Sequence, residues 1–239
     1  MKSVAIFRFT RTEEPGYFAT FLDARSIPWK LIRIDEGETV PDSAAPFSGI
    51  CLMGGTISVN DPLPWIGKIL ALIRQAVAAR VPVIGHCLGG QLMSRALGGE
   101  VIRNPVQEIG WGTARIDPGD EAKRWFGPVA DESGSVPVFQ WHGETFSIPP
   151  GATRLLTSRF CANQMFALGP HLAMQCHVEM TEAMIGTWCE HWENETRGLA
   201  SLPDSVETPD EIRRRIPDRL PALRRLADQL YSVWIRGLA

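Results

Sequence analysis

The chain has 239 residues, 44% hydrophobic and 21% charged, enough for one large α/β domain or two small ones with a sizeable core. A net charge of −3 and a pI near 6 lack the basic footprint of a nucleic-acid binder, and no apolar run reaches the ~20 residues of a membrane span. The start is too short for a signal peptide, and Cys51, Cys87, Cys161, Cys176 and Cys189 contain no Cys-x-x-Cys pair, so they fit free thiols in a reducing cytoplasm. A soluble, cytoplasmic protein with no nucleic-acid or membrane partner is expected.

Residues 3–9 read as a first, mostly apolar strand, as in a sheet covered on both faces. Pro15-Gly16 breaks the chain, residues 17–25 suit a short helix, and 29–34 a second strand. After a proline-containing loop over 37–48, residues 49–53 form a third strand that ends in Gly54-Gly55. Helical apolar spacing over 63–80 leads into Val81-Pro82-Val83-Ile84, a β-branched run that reads as a buried strand. The order so far argues for a parallel sheet with helices on both faces and functional groups at the carboxyl ends of the strands. Strands are then expected at 100–103, 109–116, 136–140, 152–157, 162–168 and 172–176. A helix over 181–195 follows, and one or two more span 211–236 with breaks at Pro217 and Pro221. Arg213-Arg214-Arg215, interleaved with acids, reads as a solvated helix face. The fold class is α/β: a flavodoxin-like three-layer sandwich with a central, mostly parallel sheet and a strand-rich second half. Residues 1–195 form the domain and 196–239 a helical extension packed on it.

The strand at 81–84 runs into Gly85-His86-Cys87-Leu88-Gly89, with a helix starting directly after. That is the layout of a nucleophile elbow, in which glycines make room for a nucleophile held on a sharp turn. The helix N-terminus favours thiolate over thiol. A buried structural cysteine is the plainer alternative.

A thiol nucleophile needs a base and an orienting group. His86 adjoins Cys87 and points the opposite way. His171 and His191 read as surface residues, while His142 is a candidate with Glu144 two residues on. His177 is better placed, at the end of a strand with Glu179 on the same side two residues later. Cys87–His177–Glu179 is thus the strongest constellation. The N–H groups of Leu88 and Gly55 are the candidate oxyanion donors. Cys189 with His191, or Cys176 with His177, lacks the second pair a metal site needs, so no metal and no cofactor are expected.

Gly85-His86-Cys87-Leu88-Gly89-Gly90-Gln91, Met53-Gly54-Gly55 and Gln175-Cys176-His177-Val178-Glu179 together resemble the three elements of class I, triad-type glutamine amidotransferases. Ile109-Gly110-Trp111, Trp141-His142-Gly143-Glu144 and Asn163-Gln164-Met165-Phe166 resemble the stand-alone branch related to the glutaminase domain of GMP synthase. The resemblance implies that Cys87 attacks the side-chain amide of glutamine, that His177 acts as acid and base, and that Glu179 orients it. It further implies that Gly54, Gln91, Gly110 and Trp111 bind the substrate. Val178 stands where the family has proline and Cys176 where it has an aromatic residue. The chain carries no P-loop, Pro62 standing where the first glycine should be, so any ATP-dependent synthetase would be a separate partner. Cleavage of γ-glutamyl peptides is the runner-up activity. A non-catalytic partner-binding domain and a cysteine-elbow esterase or protease are the alternatives from other classes.

Overall fold

A computed structural model describes every residue except 1, 131–132, 198, 200 and 239. The first half alternates strands β1 (Val4–Arg8), β2 (Trp29–Arg33), β3 (Gly49–Leu52) and β4 (Val83–His86) with helices α1 (Gly16–Asp23), α2 (Ile66–Ala78) and α3 (Leu88–Ala96). The second half holds β5 (Val101–Ile116), α4 (Asp120–Phe126), β6 (Ser135–Phe146), β7 (Thr153–Ser158), β8 (Met165–Leu168) and β9 (His171–Met174). Helices α5 (Glu182–Thr196), α6 (Pro209–Arg214) and α7 (Ile216–Trp234) complete the chain.

The strands form one nine-stranded sheet in the order β2-β1-β3-β4-β9-β8-β7-β5-β6. Pairings from β2 through β9 are parallel, and those from β9 through β6 are antiparallel. The sheet is therefore mixed, and its parallel half carries the elbow. Strand side chains alternate between two cores, as the two-residue period requires. Val4 and Ile6 join one with α1, α5 and α7, while Ala5 and Phe7 join the other with α2 and α3. Helices on both faces make three layers.

Several boundaries differ from those expected of the sequence. The two strands expected within 100–116 are one, Val101–Ile116, with the register shifting between Arg103 and Glu108, where Pro105 cannot donate to a ladder. Pro221 lies inside α7 and is not a break. The buried stripe Leu223, Leu226, Ala227, Leu230 and Trp234 holds the helix together past it. Pro217 sits in the first turn, where no intrahelical partner is lost. His171 is buried, contrary to the surface position expected of it: its Nδ1 accepts from the Val83 N–H at 3.1 Å. Arg213 and Arg214 are solvated as expected, whereas Arg215 pairs with Glu207.

Candidate functional site

Cys87 occupies the turn between β4 and α3 with φ 48° and ψ −107°, a conformation that residues with a Cβ rarely adopt. The surrounding glycines allow it. A Cβ on Gly89 would lie 2.2 Å from the Leu52 carbonyl oxygen, and one on Gly90 2.4 Å from that of Met174. Backbone bonds from Cys87 N–H to Met174 O (2.8 Å) and from Gly89 N–H to Met53 O (3.1 Å) fix the turn between β3 and β9.

His177 follows β9 and reaches the elbow from the neighbouring strand. Its backbone pairs with Phe139, the N–H donating at 2.8 Å, and its ring rests against the edge of Trp188 at a centroid separation of 4.8 Å. Nδ1 lies 2.6 Å from Glu179 Oε1. A carboxylate only accepts, so Nδ1 carries a proton and Nε2 is the nitrogen left to exchange one with the thiol. Among the described residues Nε2 is buried with no oxygen or nitrogen partner, and Cys87 acts on this ring by hydrogen bonding and charge. Burial opposes an imidazolium here, but Glu179 and Cys87 outweigh it and raise the His177 pKa well above the ordinary value. Burial likewise opposes charge on Glu179, yet His177 and His86 hold its pKa at about 2. Its second oxygen accepts from the Val178 N–H at 2.9 Å and lies 3.9 Å from His86 Nε2.

The other expected residues divide. Gly55 lines the cleft beside Cys87, and a Cβ on it would meet the Leu88 side chain at 2.6 Å. Neither the Gly55 nor the Leu88 N–H donates to another group among the described residues, so both remain available to an oxyanion. Gln91 is buried at the cleft floor and donates to Gln175 Oε1 at 3.2 Å, while Gln175 Nε2 donates to Cys87 Sγ at 3.5 Å. Gly54 lies between Glu13 and His177. Gly110 and Trp111 are not brought to the cleft. The segment after α5 covers them: the Trp111 N–H donates to Glu207 at 2.7 Å, and a Cβ on Gly110 would meet that carboxylate at 2.4 Å. His142 lines the cleft but turns its Nε2 toward Glu108 at 3.1 Å, and Glu144 offers its Nδ1 only a backbone oxygen.

Two clusters hold metal-type side chains close together. Glu108, His142 and Cys161 have ligand atoms within 4.8 Å of one another, as do Glu13, His177 and Glu179. In the first, Glu108 already accepts from Ser158 and Gln164, Cys161 pairs with Thr145, and burial pushes the Cys161 thiol up to about 11, away from the thiolate a metal takes. The second contains the Cys87 partners themselves. Neither Cys189 with His191 nor Cys176 with His177 falls into such a cluster as a pair among the described residues.

Two further residues, to which the sequence analysis gives no role, stand beside the Cys87–His177 pair. One is Gln175, the first residue of the His177 element. The other is Glu13, which lies in the loop after β1, is 6% exposed and leaves Oε2 without a partner among the described residues. Its sequence signal is an acid just past the carboxyl end of a parallel strand, where ligands gather. Cys87, Glu13, Gly55 and Gln91 line a cleft of about 800 Å³ that Arg103 and Arg197 also line.

The family model described as glutamine amidotransferase class-I matches residues 21–187. A solved structure of a glutamine amido transferase from Methylobacillus flagellatus is 43% identical, with a TM-score of 0.94 over 100% of this chain and 96% of its own. The glutamine amidotransferase-like protein YfeJ of Salmonella typhimurium is 30% identical over 189 residues, covering 77% of this chain and 78% of that protein. Gamma-glutamyl peptidase 3 of Arabidopsis thaliana is 26% identical over 186 residues, 74% of each chain. The matched region contains the elbow and the His177–Glu179 pair, and the chain belongs to the class I glutamine amidotransferase family.

Proposed function

We propose that the chain hydrolyses the γ-amide of glutamine or of a γ-glutamyl compound through a thioester on Cys87. The observation that carries this reading is the arrangement of the His177 imidazole: Nδ1 is fixed by Glu179, while the ring interacts with Cys87 by hydrogen bonding and charge. Cys87 Sγ, its proton already held on His177 Nε2 as an ion pair, attacks the γ-carbonyl carbon. The oxyanion that forms is met by the N–H groups of Leu88 and Gly55. Collapse breaks the C–N bond, and His177 returns the proton to the departing nitrogen, leaving the glutamyl thioester. Water then attacks that carbonyl and gives its proton to His177. Collapse breaks the C–S bond, glutamate leaves, and the proton on His177 is shared again with the freed Cys87 sulfur. Gln91 and Gln175 fix the floor of the site, and Gly54 keeps it open.

For glutamine the released ammonia would pass to a separate ATP-dependent synthetase. The second reading, a γ-glutamyl peptidase that works alone, is favoured by the cleft itself. Its volume of about 800 Å³ and its Arg103 and Arg197 exceed what free glutamine occupies and suit a larger substrate with a carboxylate at its far end. The five free, buried cysteines fit a reducing cytoplasm as the setting. Glutamate release from glutamine, glutathione and γ-glutamyl dipeptides decides between the readings. Preference for glutamine supports the amidotransferase, preference for the peptides the peptidase, and release from none of them contradicts both.

A further inference from the structure

A side lobe of about 300 Å³ opens beside the cleft and shares Glu13, Thr56, Trp141 and Glu195 with it, with Trp188 closing the wall. The Glu13 carboxyl reaches this place because Gly54 has no side chain. A Cβ there would lie 2.6 Å from Glu13 Oε2 and 3.2 Å from His177 Cε1. The loop carrying Glu13 is pinned by Glu13 N–H to Thr10 O (3.0 Å) and by Trp188 Nε1 to Thr12 O (2.9 Å). The indoles of Trp141 and Trp188 stand at 63° with centroids 5.6 Å apart.

A buried carboxyl oxygen with no donor is costly, and a protein retains one where a ligand supplies the missing partner. Burial pushes the Glu13 pKa up to about 8, with Glu179 and Glu195 adding to the effect and His177 opposing it. An ammonium group would supply both the donor that Glu13 Oε2 lacks and the charge beside which Glu13 can ionise. Two indole walls select an organic one, since they offer π-faces and no oxygen ligands for a metal.

We infer that this lobe is a binding site for an ammonium group of the substrate, with Glu13 and Glu195 accepting its hydrogen bonds and Trp141 and Trp188 enclosing its carbon chain. The site opens into the cleft that holds Cys87, so the ammonium belongs to the same molecule as the amide. It is either the α-ammonium of the glutamyl unit or a cation carried by the released amine. The inference deepens the proposed hydrolysis and rests on that substrate class.

The test is calorimetric binding to the full chain carrying Cys87→Ala, so that affinity is read without turnover. L-Glutamine is compared with glutaramate, its analogue without the α-amino group, and γ-glutamylethylamide with the γ-glutamyl monoamide of ethylenediamine. In at least one pair the extra ammonium should tighten binding about tenfold or more, roughly the 1.4 kcal/mol of one decade. Adding Glu13→Gln should shrink that preference to about twofold. Which pair responds identifies the source of the cation. Adding Glu195→Gln instead should weaken the same preference in part, giving a second reading on a less buried residue. No preference in either pair, or one that survives both substitutions unchanged, overturns the site. Because binding is measured, the outcome is independent of whether the wild-type chain hydrolyses the same amides.

Discussion

Around His177, charge and burial oppose each other residue by residue. The Glu179 pKa falls from 4.5 to about 2 and that of His177 rises well above 6.5. A lowered carboxylate contributes stability above its unfolded value and loses it as pH falls toward 2. A raised histidine contributes below 6.5 and loses it only as pH climbs through the raised value. The pair therefore stabilises most between about 4.5 and 6.5. Glu179→Gln should cost roughly 1.5–3 kcal/mol there, the range for a hydrogen bond to a charged group, with the loss shrinking below pH 4 in urea titrations. A cost that does not vary with pH would mean that the charge on Glu179 is not what holds the ring. Glu13 runs the other way. Its pKa rises from 4.5 to about 8, so its burial costs the fold increasingly as pH climbs between those values, at ~1.4 kcal/mol per pKa unit. Glu13→Gln should thus raise the melting temperature at pH 8 more than at pH 5. A uniform or negative shift would show the carboxyl to be comfortably ionised in the fold.

Among the elements, the elbow is the most constrained. Gly89 and Gly90 pack directly on backbone oxygens of β3 and β9, which cannot move without breaking the parallel pairings. Gly89→Ala should destabilise by at least the ~1–3 kcal/mol typical of overpacking and should abolish amide hydrolysis. A melt within a degree of wild type would contradict the tight packing described. The elbow is legible from sequence because glycine spacing, β-branched residues and an immediate helix all follow from local sterics. The positions of His177 and Glu179 are legible for the same reason, being fixed by strand periodicity. Gly110 and Trp111, which only the family resemblance points to, lie away from the cleft because the carboxylate that covers them, Glu207, comes from 96 residues beyond Trp111. Pro105 marks why the two short strands expected between 100 and 116 are one bulged strand: the proline is visible locally, but only pairing with β6 shows the ladder resuming beyond it. Glu13 escapes notice in the sequence because the burial that makes it unusual comes from Gly54, Trp188 and the cleft wall, all distant along the chain.

For the molecule as a whole, the last forty or so residues are woven into the rest. Val206 bridges to Ile109, Trp111 Nε1 donates to the Ile212 carbonyl at 2.9 Å, and Leu223, Leu230 and Trp234 are buried in the core with α1 and β1. Tyr231 reaches the residue next to Cys87, its hydroxyl 3.0 Å from His86 Nε2. We propose that residues 196–239 are part of one folding unit with 1–195. A chain ending at residue 196 should expose that apolar surface and fail to reach a cooperative fold, whereas a soluble, sharply melting fragment would make the segment a separable appendage. No helix is long and apolar enough to cross a membrane among the described residues. Both halves of the sheet serve the cleft: the parallel half supplies Cys87 and the antiparallel half supplies the wall formed by Trp141 and Arg103. The proposed chemistry stands or falls with cleavage by Cys87. The decisive assay is glutamate release from glutamine and γ-glutamyl peptides, with wild type and Cys87→Ser run side by side at matched, folded concentrations. Release by the wild type and none above background from Cys87→Ser is the expected result. Equal release by both would contradict it.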